Sequence, residues 1–74
     1  MDLAETKTIK IVLNGEARDV PEGMNIEQLL AWLKMDPSRV AVELNRAMAR
    51  KPEWPFARIL AGAQVEIVWF VGGG

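Results

Sequence analysis

Thr8-Ile9-Lys10-Ile11-Val12-Leu13-Asn14-Gly15 is the stretch whose reading settles the fold. From Thr8 to Asn14 the residues are largely β-branched and roughly alternating, which sets Ile9, Ile11 and Leu13 on one face of a strand. Asn14-Gly15 then gives the strongest short-range hairpin signal, because both central residues of a type I′ turn need positive φ. The return strand is expected over about Glu16 to Val20. Its pattern is too weak to fix a register. Pro21 removes a ladder donor and so places this strand at a sheet edge.

Working outward, Gly23-Met24-Asn25 opens a helix. Asn25 is a favoured N-cap, Gln28 stands where a capping box needs it, and Met24 can staple onto Leu29. Ile26, Leu29, Leu30 and Leu33 form one apolar stripe, with Trp32 off it. The pattern ends at Lys34-Met35-Asp36-Pro37, where the proline stops it. A helix of about ten residues is marginal alone and needs a sheet to lie against. Val40 to Asn45 alternates again, Asn45-Arg46 turns into a short strand near Ala47 to Arg50, and Ala61-Gly62 marks another turn. Lys51-Pro52-Glu53-Trp54-Pro55-Phe56 reads as a turn or 3₁₀ segment that packs Trp54 or Phe56 onto the end of the core. Gln64 to Phe70 is the last strand.

One helix across one face of a mixed four- or five-stranded sheet suits this order, an α+β arrangement of the β-grasp, ubiquitin-like kind. The first and last strands carry apolar residues on both faces and are the natural central pair. A split β-α-β sandwich would want a second full helix where the Pro-rich segment lies. The expected organisation is an N-terminal extension over 1–7, disordered or lengthening the first strand, a β-grasp domain over 8–71, and a flexible glycine tail over 72–74.

Composition narrows the chemistry. At 74 residues there is room for one domain, and half of the residues are apolar with 26% charged, the balance of a globule. The absence of cysteine removes disulfides, thiolate zinc sites, iron–sulfur clusters and cysteine nucleophiles. Without histidine or tyrosine, no side chain has an unperturbed pKa near 7. A net charge of −1 argues against nucleic acid as a partner. The N-terminus carries Asp2 and Glu5 and no long apolar run, unlike a secretory signal. The apolar run Ile67 to Val71 falls far short of the roughly 20 residues that span a bilayer. The expectation is a cytoplasmic protein that is not an enzyme and holds no cofactor or metal of its own.

What remains is the main chain. Gly72-Gly73-Gly74 directly follows an apolar strand, and three residues reach at most about 10 Å. Glycine tails are ordinarily frayed ends. Set straight onto a core strand, this one makes a thin stalk that enters a channel any Cβ would block. In the last strand Val65 and Ile67 are assigned to the core. Val68 and Phe70 then lie on the opposite face with Val12, an exposed patch extended by Val71 that suits partner docking or self-association. Arg46, Arg50, Lys51 and Arg58 make the second half basic and would steer an acidic partner if they gathered at the exit of the tail. Asp19, Glu22 and Glu53 read as surface charges, and no phosphate-cradling loop is present in the sequence.

These residues resemble the sulfur carrier proteins of thiamine biosynthesis (ThiS). The resemblance covers Ile9 to Gly74. It rests on Leu13-Asn14-Gly15, on Gly23-Met24-Asn25-Ile26-Glu27-Gln28-Leu29-Leu30, on Val40-Ala41-Val42-Glu43-Leu44-Asn45, on Pro52-Glu53-Trp54, and above all on Val65-Glu66-Ile67-Val68-Trp69-Phe70-Val71-Gly72-Gly73-Gly74. It implies that an ATP-dependent, E1-like partner adenylates the carboxylate of Gly74, with Gly73 and Gly72 as the slender approach. Sulfur from cysteine then displaces AMP, and thiazole synthase takes that sulfur from the thiocarboxylate. ATP belongs to the partner. Two departures stand out: Ala61-Gly62-Ala63-Gln64 replaces an acidic turn frequent in relatives, and Met1 to Lys7 extends beyond the usual start.

Three other readings compete. The small subunit of molybdopterin synthase shares the fold and glycine end, but often carries a Pro-containing run where this chain has Val68-Trp69-Phe70-Val71. Carriers serving other sulfur pathways belong to the same class. A protein modifier would use the activated carboxylate to form isopeptide bonds, and a non-covalent interaction module would leave the tail inert.

Overall fold

Asn14 and Gly15 adopt φ of 49° and 84°, as a type I′ turn requires. They join β1 (Thr8–Leu13) to β2 (Glu16–Pro21), with Ile9 opposite Val20 and Leu13 opposite Glu16. The structure, a computed structural model, describes residues 7–70. The expectations for residues 1–6, for Val71 and for Gly72, Gly73 and Gly74 lie outside the described residues. Helix α1 (Ile26–Trp32) follows, then β3 (Val40–Leu44), β4 (Ala47–Ala49) and β5 (Gln64–Trp69). The sheet order is β2-β1-β5-β3-β4, which makes β5 central and β2 an edge strand, as Pro21 requires. β5 runs parallel to β1 and antiparallel to β3.

The start of α1 is set by the capping box foreseen in the sequence. Asn25 Oδ1 accepts from Gln28 N–H at 2.8 Å, and Gln28 Oε1 accepts from Asn25 N–H at 2.9 Å. The helix is shorter than expected, with seven residues, and proline is not what ends it. Lys34 takes a left-handed φ of 61°. Its N–H then donates to Ala31 C=O, and that of Met35 to Leu30 C=O, the two bonds of a Schellman cap with lysine in glycine's usual place. A helix this short persists through packing. Ile26, Leu29 and Leu30 are buried, each worth about 2 kcal/mol, against tenths of a kcal/mol per residue from propensity.

The Pro-rich segment forms a 3₁₀ helix over Lys51–Phe56. It settles the choice between two aromatics: Trp54 is 3% exposed and Phe56 86%. Trp54 Nε1–H donates to Ala49 C=O at 2.8 Å, so its one polar atom is satisfied inside the core. The segment after it clamps the helix start, with Ile26 N–H donating to Ala57 C=O and Ile59 N–H to Met24 C=O. Ile11, Val42, Val65 and Ile67 face the helix and complete the core. No helix among the described residues is long and apolar enough to cross a membrane.

Candidate functional site

Alternation along β5 puts Val65 and Ile67 under the helix and Glu66, Val68 and Phe70 on the other face. That face has no second layer among the described residues: Val68 is 56% and Phe70 54% exposed. Ala41 of β3 lies directly opposite Val68, and the Phe70 N–H donates to Arg39 C=O at 2.8 Å. Val68, Phe70 and Ala41 therefore form the apolar ground beside the point where β5 ends and the chain runs on towards the glycines.

Val12 shares this face but not this place. It pairs with Gln64, four residues before Val68, which is about 13 Å along the strand. There it lines a concavity of about 530 Å³ with Gly15, Glu43, Arg46, Gln64, Val65 and Glu66. The docking patch drawn from the sequence thus divides into an apolar end near the exit of β5 and a more polar bowl near its start. Within the lining of the bowl Glu43 and Glu66 stand directly opposite one another across the β3–β5 pair. Like charges in that position repel by a few tenths of a kcal/mol or more, and no ion pair among the described residues relieves them. Each glutamate was visible in the sequence as the polar member of an apolar alternation. Their adjacency depends on the register between two strands twenty residues apart, which one sequence does not encode.

Of the four basic residues, Arg46 and Arg58 lie away from the exit. Arg46 donates through Nε to Gln64 Oε1 at 3.2 Å, and Arg58 lies beside Leu60, Ala61 and Gly62, so both sit at the start of β5. Lys51 stands 5.9 Å from the Trp54 ring centroid. At the exit stands Arg39, 3.8 Å from Asp36, and Lys51 lies near enough to act on the same carboxylate. Asp36 is held below the usual carboxylate range first by the Ser38 backbone N–H, then by the Ser38 hydroxyl, with Arg39 and Lys51 adding to it. Among the described residues no cluster of carboxylates is arranged to hold a metal.

One α-helix gripped by a five-stranded mixed sheet among the described residues defines the ubiquitin-like β-grasp class. The model of the ThiS family matches residues 11–74, and the chain belongs to that family. It superimposes on the crystal structure of thiamine biosynthesis protein ThiS from Geobacter metallireducens with a TM-score of 0.79 and 30% identity, over 89% of this chain and 100% of that one. An uncharacterised protein of Porphyra purpurea, ycf40, is 32% identical over 92% of this chain and 96% of its own length. A thiazole synthase of Paramagnetospirillum magneticum is 39% identical over 66 residues, 89% of this chain. The chain spans about one fifth (20%) of that synthase's length.

Proposed function

We propose that this chain is the sulfur carrier of thiazole formation in thiamine biosynthesis, acting as a cosubstrate with its reactive group at the Gly74 carboxylate. An E1-like adenylyltransferase, which binds the ATP, lets that carboxylate attack the α-phosphorus, and pyrophosphate leaves. Hydrosulfide then attacks the acyl adenylate, its sulfur bonds to the carbonyl carbon, and AMP departs with one of the former carboxylate oxygens. The thiocarboxylate so formed gives its sulfur to thiazole synthase. The carrier needs no cofactor for this, because every step takes place at its own main chain. Gly73 and Gly72 keep the approach free of side chains, and Val68, Phe70 and Val71 give the enzymes a surface to hold while the tail is threaded. These events belong in the cytoplasm, with the enzymes that make the vitamin.

The observation that carries this reading is the family match running through residue 74, on a β-grasp whose central strand leads into the three glycines. The similarity to thiazole synthases supports that enzyme as the acceptor. The test is incubation with the adenylyltransferase, ATP and a sulfide donor, read by intact-mass spectrometry. Exchange of one oxygen for sulfur adds about 16 Da to the free chain. A Gly73→Trp chain that folds normally is expected to gain nothing. Full sulfur loading of that variant sinks the threading argument, and recovery of the chain linked to lysines of other proteins selects the modifier instead.

A further inference from the structure

The ladder between β1 and β5 has a two-residue rhythm. Val12 N–H donates to Ala63 C=O and Asn14 N–H to Val65 C=O, both at 2.9 Å. At the next step the chain has already turned, and Ile67 N–H is met at 2.8 Å by the side-chain oxygen of Asn14. The groups after that are Ile67 C=O and Trp69 N–H. They point into the space that β1 vacates at its hairpin, and no donor or acceptor among the described residues meets them. The opposite side of β5 stays paired as far as Phe70. From Ile67 to Phe70 the central strand is therefore half open.

Open edges are normally defended by charge, proline or brevity. The edge strand β2 carries Glu16, Arg18 and Asp19 and ends in Pro21, and β4 has three residues. The half-edge of β5 has none of these defences. Its residues are Ile67, Val68, Trp69 and Phe70, and the last three are each about half exposed. Unpaired N–H and C=O groups at strand spacing, with apolar side chains on both faces, match an extended peptide backbone.

We propose that the E1-like adenylyltransferase adds an extended segment of its own as a strand beside Ile67–Phe70, an inference that rests on the sulfur-carrier reading. The Asn14-Gly15 tip stops the incoming strand from sliding back along β5 and so sets its register. Apolar partner side chains pack beside Val68 and Phe70 on one face and Trp69 on the other. Loss of one paired amide weakens docking and leaves the chemistry at the carboxylate intact.

Amide hydrogen exchange measured by NMR tests this. In the free chain the Ile67 and Phe70 amides are slow and that of Trp69 is fast. In a saturated complex with the E1-like adenylyltransferase the Trp69 amide slows by at least roughly tenfold. A chain with the Trp69 amide replaced by an ester, its fold checked by circular dichroism, shows KM for adenylation raised about tenfold with kcat unchanged. Fast Trp69 exchange in that saturated complex overturns the added strand, as does an unchanged KM for the ester. Trp69 protection that rises with the concentration of the chain alone puts a second copy in the lane and overturns it too. A chain that gains sulfur while Trp69 stays open removes only this inference, whereas a chain that neither binds nor is adenylated removes the sulfur-carrier reading with it.

Discussion

Two tight turns flank the central strand, and they solve one backbone problem with different residues. Asn14-Gly15 has φ of 49° and 84°, and Asn45-Arg46 has φ of 53° and 70°. In each, the asparagine reaches back to β5: Asn14 Oδ1 accepts from Ile67 N–H at 2.8 Å and Asn45 Oδ1 from Gln64 N–H at 2.9 Å. Glycine meets the second position without strain, whereas a side chain held left-handed there costs about 1 kcal/mol. Arg46 recovers part of that through Gln64 and places a guanidinium at the bowl on the open face. The lesson is that the turn geometry is imposed by the strands around it. The residue at the second position records what else the turn must do.

The sharpest way to break the comparison is to remove the two asparagine side chains separately. Asn14→Ala leaves the partly buried Ile67 N–H without an acceptor, and a loss of about 2 kcal/mol is expected, seen as a fall in Tm of roughly 10 °C. Asn45→Ala exposes its donor to water and is expected to cost about 1 kcal/mol in the same melt. Equal losses would show that the burial difference does not matter.

At the second positions the signs should oppose. Gly15→Ala meets no atom within 4 Å, so its expected cost of about 1 kcal/mol is conformational alone, measured by urea unfolding at constant m. Arg46→Gly should be neutral or stabilise by up to about 0.5 kcal/mol, as strain relief is set against the lost bond to Gln64 and a freer unfolded chain. Stabilisation without loss of sulfur loading would leave Arg46 no role in docking. The smallest effect concerns acid. Asp36 has a lowered folded pKa, so its contribution is present at neutral pH and is lost as pH falls below about 4 through the folded value. An NMR titration should find it protonating later than an ordinary aspartate, and Ser38→Ala should bring it back towards the usual range.

How much of this was readable in advance follows the same division. The Asn14-Gly15 hairpin, the Asn25 cap with its Gln28 partner, the edge placement of β2 and the core assignment of Val65 and Ile67 all depend on neighbours within a few residues, and all hold. The stop of α1 near Lys34 was legible, but its cause was not. Lysine at the left-handed cap position gives no glycine signal, and Pro37 was the only visible stop. Of the site, the exposure of Val68 and Phe70 followed from counting helices. The separation of Val12 from them, the Glu43–Glu66 pair and the half-open edge of β5 did not, because each is a matter of register between distant strands.

By itself, the sequence determined the order of elements, the N-cap of α1 and the tight turns, since these follow from propensity, period and the φ that single residues tolerate. Only the tertiary structure decided where the β1–β5 ladder stops and which residues meet across the open face. A strand with apolar residues on both sides is equally content with several alignments, and only the packing of β1 and β3 against the same helix selects one.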